Sequence, residues 1–199
     1  MEDQHSVLNY WFGTDPDDAR LANERASLWW SKNPDVDDEI RKRFEPLVLT
    51  VGKGTLNDWR STAHGKLALI LLTDQFPRNI FRGTPEAFAF DEIALDLSLQ
   101  VLAAGEEKRL RPIQRVFFYM PLEHSEELEH QHRSVDLFQE LVLDVPESRR
   151  PTFAGFLNFA IRHCAIIEQF DRFPHRNAIL GRESTSEEIE FLKQSGSSF

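Results

Sequence analysis

Two strings about a hundred residues apart carry nearly the same order of side chains. Asp74-Gln75-Phe76-Pro77-Arg78-Asn79 leaves one apolar segment, and Asp171-Arg172-Phe173-Pro174-His175-Arg176-Asn177 leaves another, with one extra residue before the second Arg. Each is followed by a glycine, Gly83 or Gly181, and then by a Thr or Ser suited to cap a new helix. A chain that repeats such a string is constrained to repeat a unit of structure, here helix, loop, helix. Phe-Pro offers an efficient helix stop with an apolar anchor, and Asn readily takes turn conformations.

The rest of the punctuation is also helical. Asp15-Pro16, Asn33-Pro34 and Thr84-Pro85 each place a capping residue before a proline at the first helical position. Ser184-Thr185-Ser186-Glu187-Glu188 offers overlapping capping boxes. Val36, Ile40, Phe44 and Leu47 keep the helical period, and Pro46 is expected to kink or end that helix. Phe90, Ala94, Leu97 and Val101 mark a helix from about 84 to 104. Leu128, Val135, Phe138 and Val142 mark one beginning near Ser125, and Phe156, Phe159, His163, Ile167 and Phe170 one beginning near Thr152. Two-residue alternation with hairpin turns is missing, so strands are not expected. The reading is a single all-α domain over residues 1–199 with about seven to nine antiparallel helices, stacked superhelically rather than as a four-helix bundle. The Ser/Gly-rich tail from about Gln194 to Ser198 is expected to fray.

With 199 residues, 16 Phe and 4 Trp, the chain has ample material for one packed core. A formal charge of −10 argues against non-specific binding to nucleic acid or anionic membrane. The longest apolar run, Leu67 to Leu72, is far short of a membrane span, and the acidic start has no signal-peptide pattern. The lone cysteine, Cys164, excludes an internal disulfide and fits a reducing compartment, so a cytoplasmic location is expected.

Against that acidic background, 162–182 reverses sign. Arg162, His163, Arg172, His175, Arg176 and Arg182 face only Glu168 and Asp171 there. Arginine forks suit carboxylate and phosphate, so a small anion or a peptide terminus is the expected partner. The candidate binding residues are Arg78, Asn79, Arg82, Glu123, His124, His163, Arg172, His175, Arg176 and Asn177. The pocket is expected where the two loops meet the turn holding Pro121-Leu122-Glu123-His124, with the ligand beside the second copy. For Asp74, Asp171, Asn79 and Asn177 an equally direct reading is satisfaction of exposed helix ends. His163 and His124 lie on inward stripes, where a hydrogen-bonded core role competes with catalysis. An enzyme using His124 or His163 with Glu123 in acid–base chemistry is the alternative, and a protein-interaction scaffold a third.

No cofactor is expected, because no phosphate-binding Gly-rich loop, GxSxG elbow or HExxH motif occurs. Glu127–His130 and Glu129–His132 have the Glu-x-x-His spacing of carboxylate-bridged di-iron bundles, but no second helix repeats it. Glu126–His130, Glu129–Arg133 and His132–Asp136 pair four residues apart, as on a solvated face, so no metal site is expected.

The strings VLNYWFG (7–13), GKLALILLTDQFPRNIFRGTP (65–85), YMPLEHSEELEHQ (119–131) and FAIRHCAIIEQFDRFPHRNAILGREST (159–185) span nearly the whole chain. By them the chain is identified as a member of the bacterial domain-of-unknown-function family 924. That resemblance implies an all-helical, tetratricopeptide-like superhelical arrangement and brings no activity or catalytic residues. Pro46-Leu47-Val48-Leu49-Thr50-Val51 departs from the pattern at one helix boundary.

Overall fold

A computed structural model describes residues 2–197. Among them no strand occurs, and the helices run α1 Gln4–Phe12, α2 Asp18–Trp30, α3 Pro34–Val51, α4 Ala63–Ile70, α5 Phe76–Ile80, α6 Asp91–Ala104, α7 Pro112–Glu123, α8 Leu128–Asp144, α9 Arg150–Phe170 and α10 Ser186–Leu192. A π turn, Leu71–Gln75, joins α4 to α5 without a break, so these three stretches form one helix. Short 3-10 turns fill several connections. The all-helical expectation holds, and the pairing of α7 with α8 and of α8 with α9 is consistent with the stacking expected.

At α3 and α10 the helix starts follow the caps read from the sequence, whereas α2 is capped by Asp17 and not by the expected Asp15, which accepts from the Asp17 amide instead. Asn33 accepts from the Asp35 amide with Pro34 at the first position of α3. Thr185 and Glu188 close a capping box on α10. Three expectations of helix continuity fail. Pro46 does not end α3, which continues five residues to Val51; Pro46 keeps its carbonyl, which accepts from the Thr50 hydroxyl at 2.6 Å. The helix expected over 84–104 is broken, with a 3-10 turn at Pro85–Phe88 and α6 starting only at Asp91. The first Phe-Pro is no stop either, because the π turn absorbs it and the chain stays helical to Ile80. The second is a stop: Asp171 caps α9 at φ 57°, a conformation that ends a helix.

α7 is the axis of the molecule. Every residue from Ile113 to Glu123 is buried, as expected of a helix apolar on nearly all sides. Around it sits an aromatic nucleus, with Phe117 5.0 Å from Trp29 and 5.7 Å from Trp11, Trp11 5.4 Å from Phe76, and Phe76 4.9 Å from Phe44, ring centre to ring centre. No described helix is long and apolar enough to cross a membrane. The tail expected to fray makes contacts as far as Ser197, whose hydroxyl donates to the Leu192 carbonyl at 3.1 Å, while Arg162 donates to the Gly196 carbonyl at 3.0 Å. Ser198, the last residue of that expectation, lies outside the described residues.

Gly65, in the first turn of α4, is required for closeness rather than flexibility. A β-carbon there would stand 2.1 Å from the Trp59 backbone oxygen. Gly65→Ala is therefore expected to destabilise the fold by about 1–3 kcal/mol, measured as a lower denaturation midpoint with an unchanged slope. A midpoint equal to wild type would show that the preceding turn yields freely.

Candidate functional site

A cleft of about 610 Å³ opens between α2, the α4–α5 helix, α7 and α9. Trp29, Trp30, Val116, Met120, Phe156 and Phe159 give it apolar walls. Gln75, Arg78, Asn79, Glu123, His124 and His163 supply polar groups, and Lys32, Arg82 and Arg162 also line it.

The π turn explains how the first duplicated string reaches this cleft. The Phe76 amide donates to the Leu71 carbonyl, five residues back, and this wider turn buries Leu71 through Gln75 together. Asp74 ends 1% exposed with three neighbours: His124 Nδ1 at 2.6 Å, Gln75 Nε2 at 2.5 Å and Arg78 Nη1 at 3.3 Å. Burial alone would raise the Asp74 carboxyl, but the Arg78 charge, with hydrogen bonds from His124 and Gln75, outweighs it and holds it far below the ordinary carboxylate range. An ionised carboxylate only accepts, so His124 Nδ1 carries the hydrogen and, in the neutral ring, Nε2 carries the lone pair. Burial, and then the Arg78 charge, push the His124 imidazole below its ordinary value against the pull of Asp74. His124 is therefore a neutral imidazole oriented by a buried carboxylate.

His163 is held in a parallel way from α9. Its Nδ1 lies 2.9 Å from the Phe159 carbonyl and 2.9 Å from Glu123 Oε1. A backbone carbonyl cannot donate, so Nδ1 again bears the hydrogen. The two imidazole centres are 6.1 Å apart.

The arginines are differently employed than the sequence suggested. Arg78 makes a two-pronged contact with Asp91 at 2.9 and 3.0 Å and donates to the Asp74 carbonyl. Arg82 grips Asp37 at 2.7 Å through two nitrogens, and Asn79 donates to the same carboxylate at 2.8 Å. Arg172 grips Glu188 at 2.6 and 2.8 Å, and its hydrogen bonds pull that carboxyl down to about 2. Arg182 grips Glu126, which also accepts from the Phe173 amide at 2.8 Å. The local excess of positive charge is thus matched by carboxylates from elsewhere in the chain.

Nor does the second copy line the cleft. Arg172 anchors α10, and Asn177 donates to Ser184 at 3.0 Å. His175 packs 5.6 Å from Phe173, and burial, followed by the Arg176 charge, drives its imidazole down to about 3. Arg176 is sandwiched between Phe88 and Phe173, 4.8 and 4.5 Å from their ring centres, and burial lowers it to about 10. Its only carboxylate contact among the described residues is Asp91, at 3.8 Å. The two copies do meet, through the series His124, Asp74, Arg78, Asp91, Arg176, but the cavity lies beside the first, and the ligand position expected beside the second is corrected accordingly. Glu123 and His124 also leave the turn expected for them, since α7 runs through Pro121 to Glu123 and His124 caps its end.

Sequence reading missed Asp91, Gln75 and the Trp29–Trp30 wall. Asp91 is one of two acidic residues in the first turn of α6, and nothing local links it to two arginines. Gln75 sat inside the duplicated string but has a different residue, Arg172, as its counterpart.

No curated protein matches the sequence. A solved structure of a protein of unknown function from Agrobacterium tumefaciens is 35% identical, with a TM-score of 0.74, covering 89% of this chain and 99% of that one. Residues 7–196 match the family described as "Bacterial protein of unknown function (DUF924)". With the match running across nearly every element described above, the chain belongs to that family.

Proposed function

We propose that the cleft is the active site of an enzyme that transfers protons by general acid–base catalysis on a small, largely apolar, uncharged molecule. The observation that carries this reading is His124 Nδ1, 2.6 Å from the buried, ionised Asp74, on a neutral imidazole lining a 610 Å³ cleft. Such a pair fixes the ring, leaves Nε2 basic and stabilises the imidazolium formed when a proton arrives. His163 and Glu123 supply a second imidazole beside a carboxylate within one ring spacing, suited to exchanging the complementary proton. The proton removed by His124 comes from a water attacking an acyl carbon or from a carbon next to a carbonyl. The electron pair moves onto the carbonyl oxygen.

An uncharged substrate follows from Arg78 and Arg82 being held by carboxylates, and an apolar one from the tryptophan and phenylalanine walls. Exposed Lys32 on the cleft lining favours a second reading, a carrier for an amphiphilic anion.

Two measurements test the enzyme. By ¹⁵N NMR, His124 should be neutral at pH 7 with its hydrogen on Nδ1, titrating below the ordinary value of about 6.5. A protonated ring at pH 7 removes the base. Incubation in D₂O with neutral acyl and carbonyl compounds bearing aryl or alkyl groups should reveal hydrolysis or deuterium uptake by mass spectrometry. His124→Gln should slow it roughly a hundredfold or more. A compound that binds wild type and His124→Gln equally and leaves chemically unaltered identifies a carrier instead.

A further inference from the structure

Away from the cleft, the seam between α8 and α9 brings together three donors of different chemistry. Cys164 and Glu168 stand one turn apart on α9, and His132 faces them from α8. Their sulfur, carboxylate oxygen and imidazole nitrogen all lie within 4.8 Å of one another. His132 Nε2 and Glu168 Oε1 are 3.3 Å apart. None of the three lines the cleft.

We propose that His132, Cys164 and Glu168 form a binding site for a divalent transition metal of the zinc class. Three features point this way. The first is spacing. With metal–nitrogen and metal–oxygen bonds near 2.0–2.2 Å, two ligands of a tetrahedron stand roughly 3.3–3.4 Å apart, the distance between His132 and Glu168. The sulfur needs to approach to about 3.5 Å on the same geometry. His132 and Glu168 are 56% and 55% exposed, so both side chains are free to make that adjustment.

The second is the donor set. Thiolate, imidazole and carboxylate together suit zinc or cobalt and disfavour calcium or magnesium, which take oxygen ligands. Glu168 already draws both other donors to itself, His132 at 3.3 Å and the Cys164 thiol by a hydrogen bond, so the three converge on one point. The third is the frame. α8 and α9 pack along each other more extensively than any other pair of helices, so the donors project from a rigid base. Burial, and then the Glu168 charge, push the Cys164 thiol above its ordinary value. A bound cation reverses both effects, releasing the thiol proton to solvent as the metal–sulfur bond forms. Water completes the fourth position on the exposed side, the arrangement of zinc sites with three protein ligands.

The sequence alone gave the opposite expectation because Glu129–Arg133 and His132–Asp136 look like pairs along one solvated helix. The partners that matter come from the next helix, more than thirty residues away.

Titration of the metal-free, full-length protein with Co²⁺ tests the site. One equivalent is expected to produce a thiolate-to-cobalt charge-transfer band together with the visible bands of four-coordinate cobalt, and Zn²⁺ should displace both. Cys164→Ser should abolish the charge-transfer band, while His132→Ala and Glu168→Gln should weaken binding by about tenfold or more. Both latter positions are exposed, so the fold is not at risk. The proposal is overturned if stoichiometric cobalt gives no sulfur band, or if the band persists with unchanged affinity in both His132→Ala and Glu168→Gln.

Discussion

Asp74→Ala is expected to destabilise the protein by about 3–5 kcal/mol, the range for removing one partner of a buried charged network. The carboxylate accepts from Gln75 and His124 and lies beside Arg78, and none of these finds another charge of the right sign at the vacated place. Arg78 keeps Asp91, so the fold should weaken without collapsing. Urea denaturation at pH 7 should show a lower midpoint at constant slope. A loss under about 1 kcal/mol would mean that the network contributes little to stability.

The same residue sets an acid dependence. Its folded pKa is depressed, so its contribution is fully present above the unfolded value of about 3.9 and is lost as pH falls through the folded one. His175 and His124 act in the same direction at milder acidity. Their folded values lie below about 6.5, so protonation of the unfolded chain removes stability as pH falls below that value. Wild type should therefore weaken progressively from about pH 6.5 downwards. Asp74→Ala should lose the additional step below pH 4.

Trp11→Ala should be as damaging, about 3–5 kcal/mol, because it empties the centre of the aromatic nucleus. Trp11 is fully buried against Trp29, Phe76 and Phe117. Trp11→Phe makes the sharper comparison. The Trp11 indole N–H is buried with no acceptor among the described residues, so replacing it with phenyl removes an unsatisfied donor while shrinking the ring. The phenylalanine variant should recover most of the alanine variant's loss. Equal losses would show that shape alone governs the position.

The fold was largely legible because its signals are local. Caps such as Asn33 and Thr185 and the stripes of α6, α8 and α9 depend on residues within a turn or two of each other. Two of the three errors of helix continuity have a common cause. Pro46 and Pro77 were read by their local tendency to break helices, whereas packing of Phe44, Val48 and Phe76 into the core keeps the chain helical through both. Half of the site was equally visible. Arg78, Asn79, Arg82, Glu123, His124 and His163, all candidates from the sequence, line the cleft. The charge of the second copy misled because its partners, Glu126, Glu188 and Asp91, lie on other segments. Net sign along a stretch of chain says nothing about which carboxylates will fold onto it. The meeting of His132, Cys164 and Glu168 was hidden for the same reason.

The π turn has a consequence for comparing members of this family. Successive residues of an α-helix advance by about 100° around its axis. A wide turn stores one residue's worth of rotation between Ile70 and Phe76. Deleting a single residue there would let the helix revert to ordinary pitch with its two halves kept in place, closing the wide turn that carries Asp74 and Gln75. Those two side chains would then be re-aimed relative to His124, although the rest of the cleft lining was unchanged. A one-residue gap at this point in an alignment therefore separates proteins with different clefts, and residue identity at Asp74 is informative only where helix length is preserved.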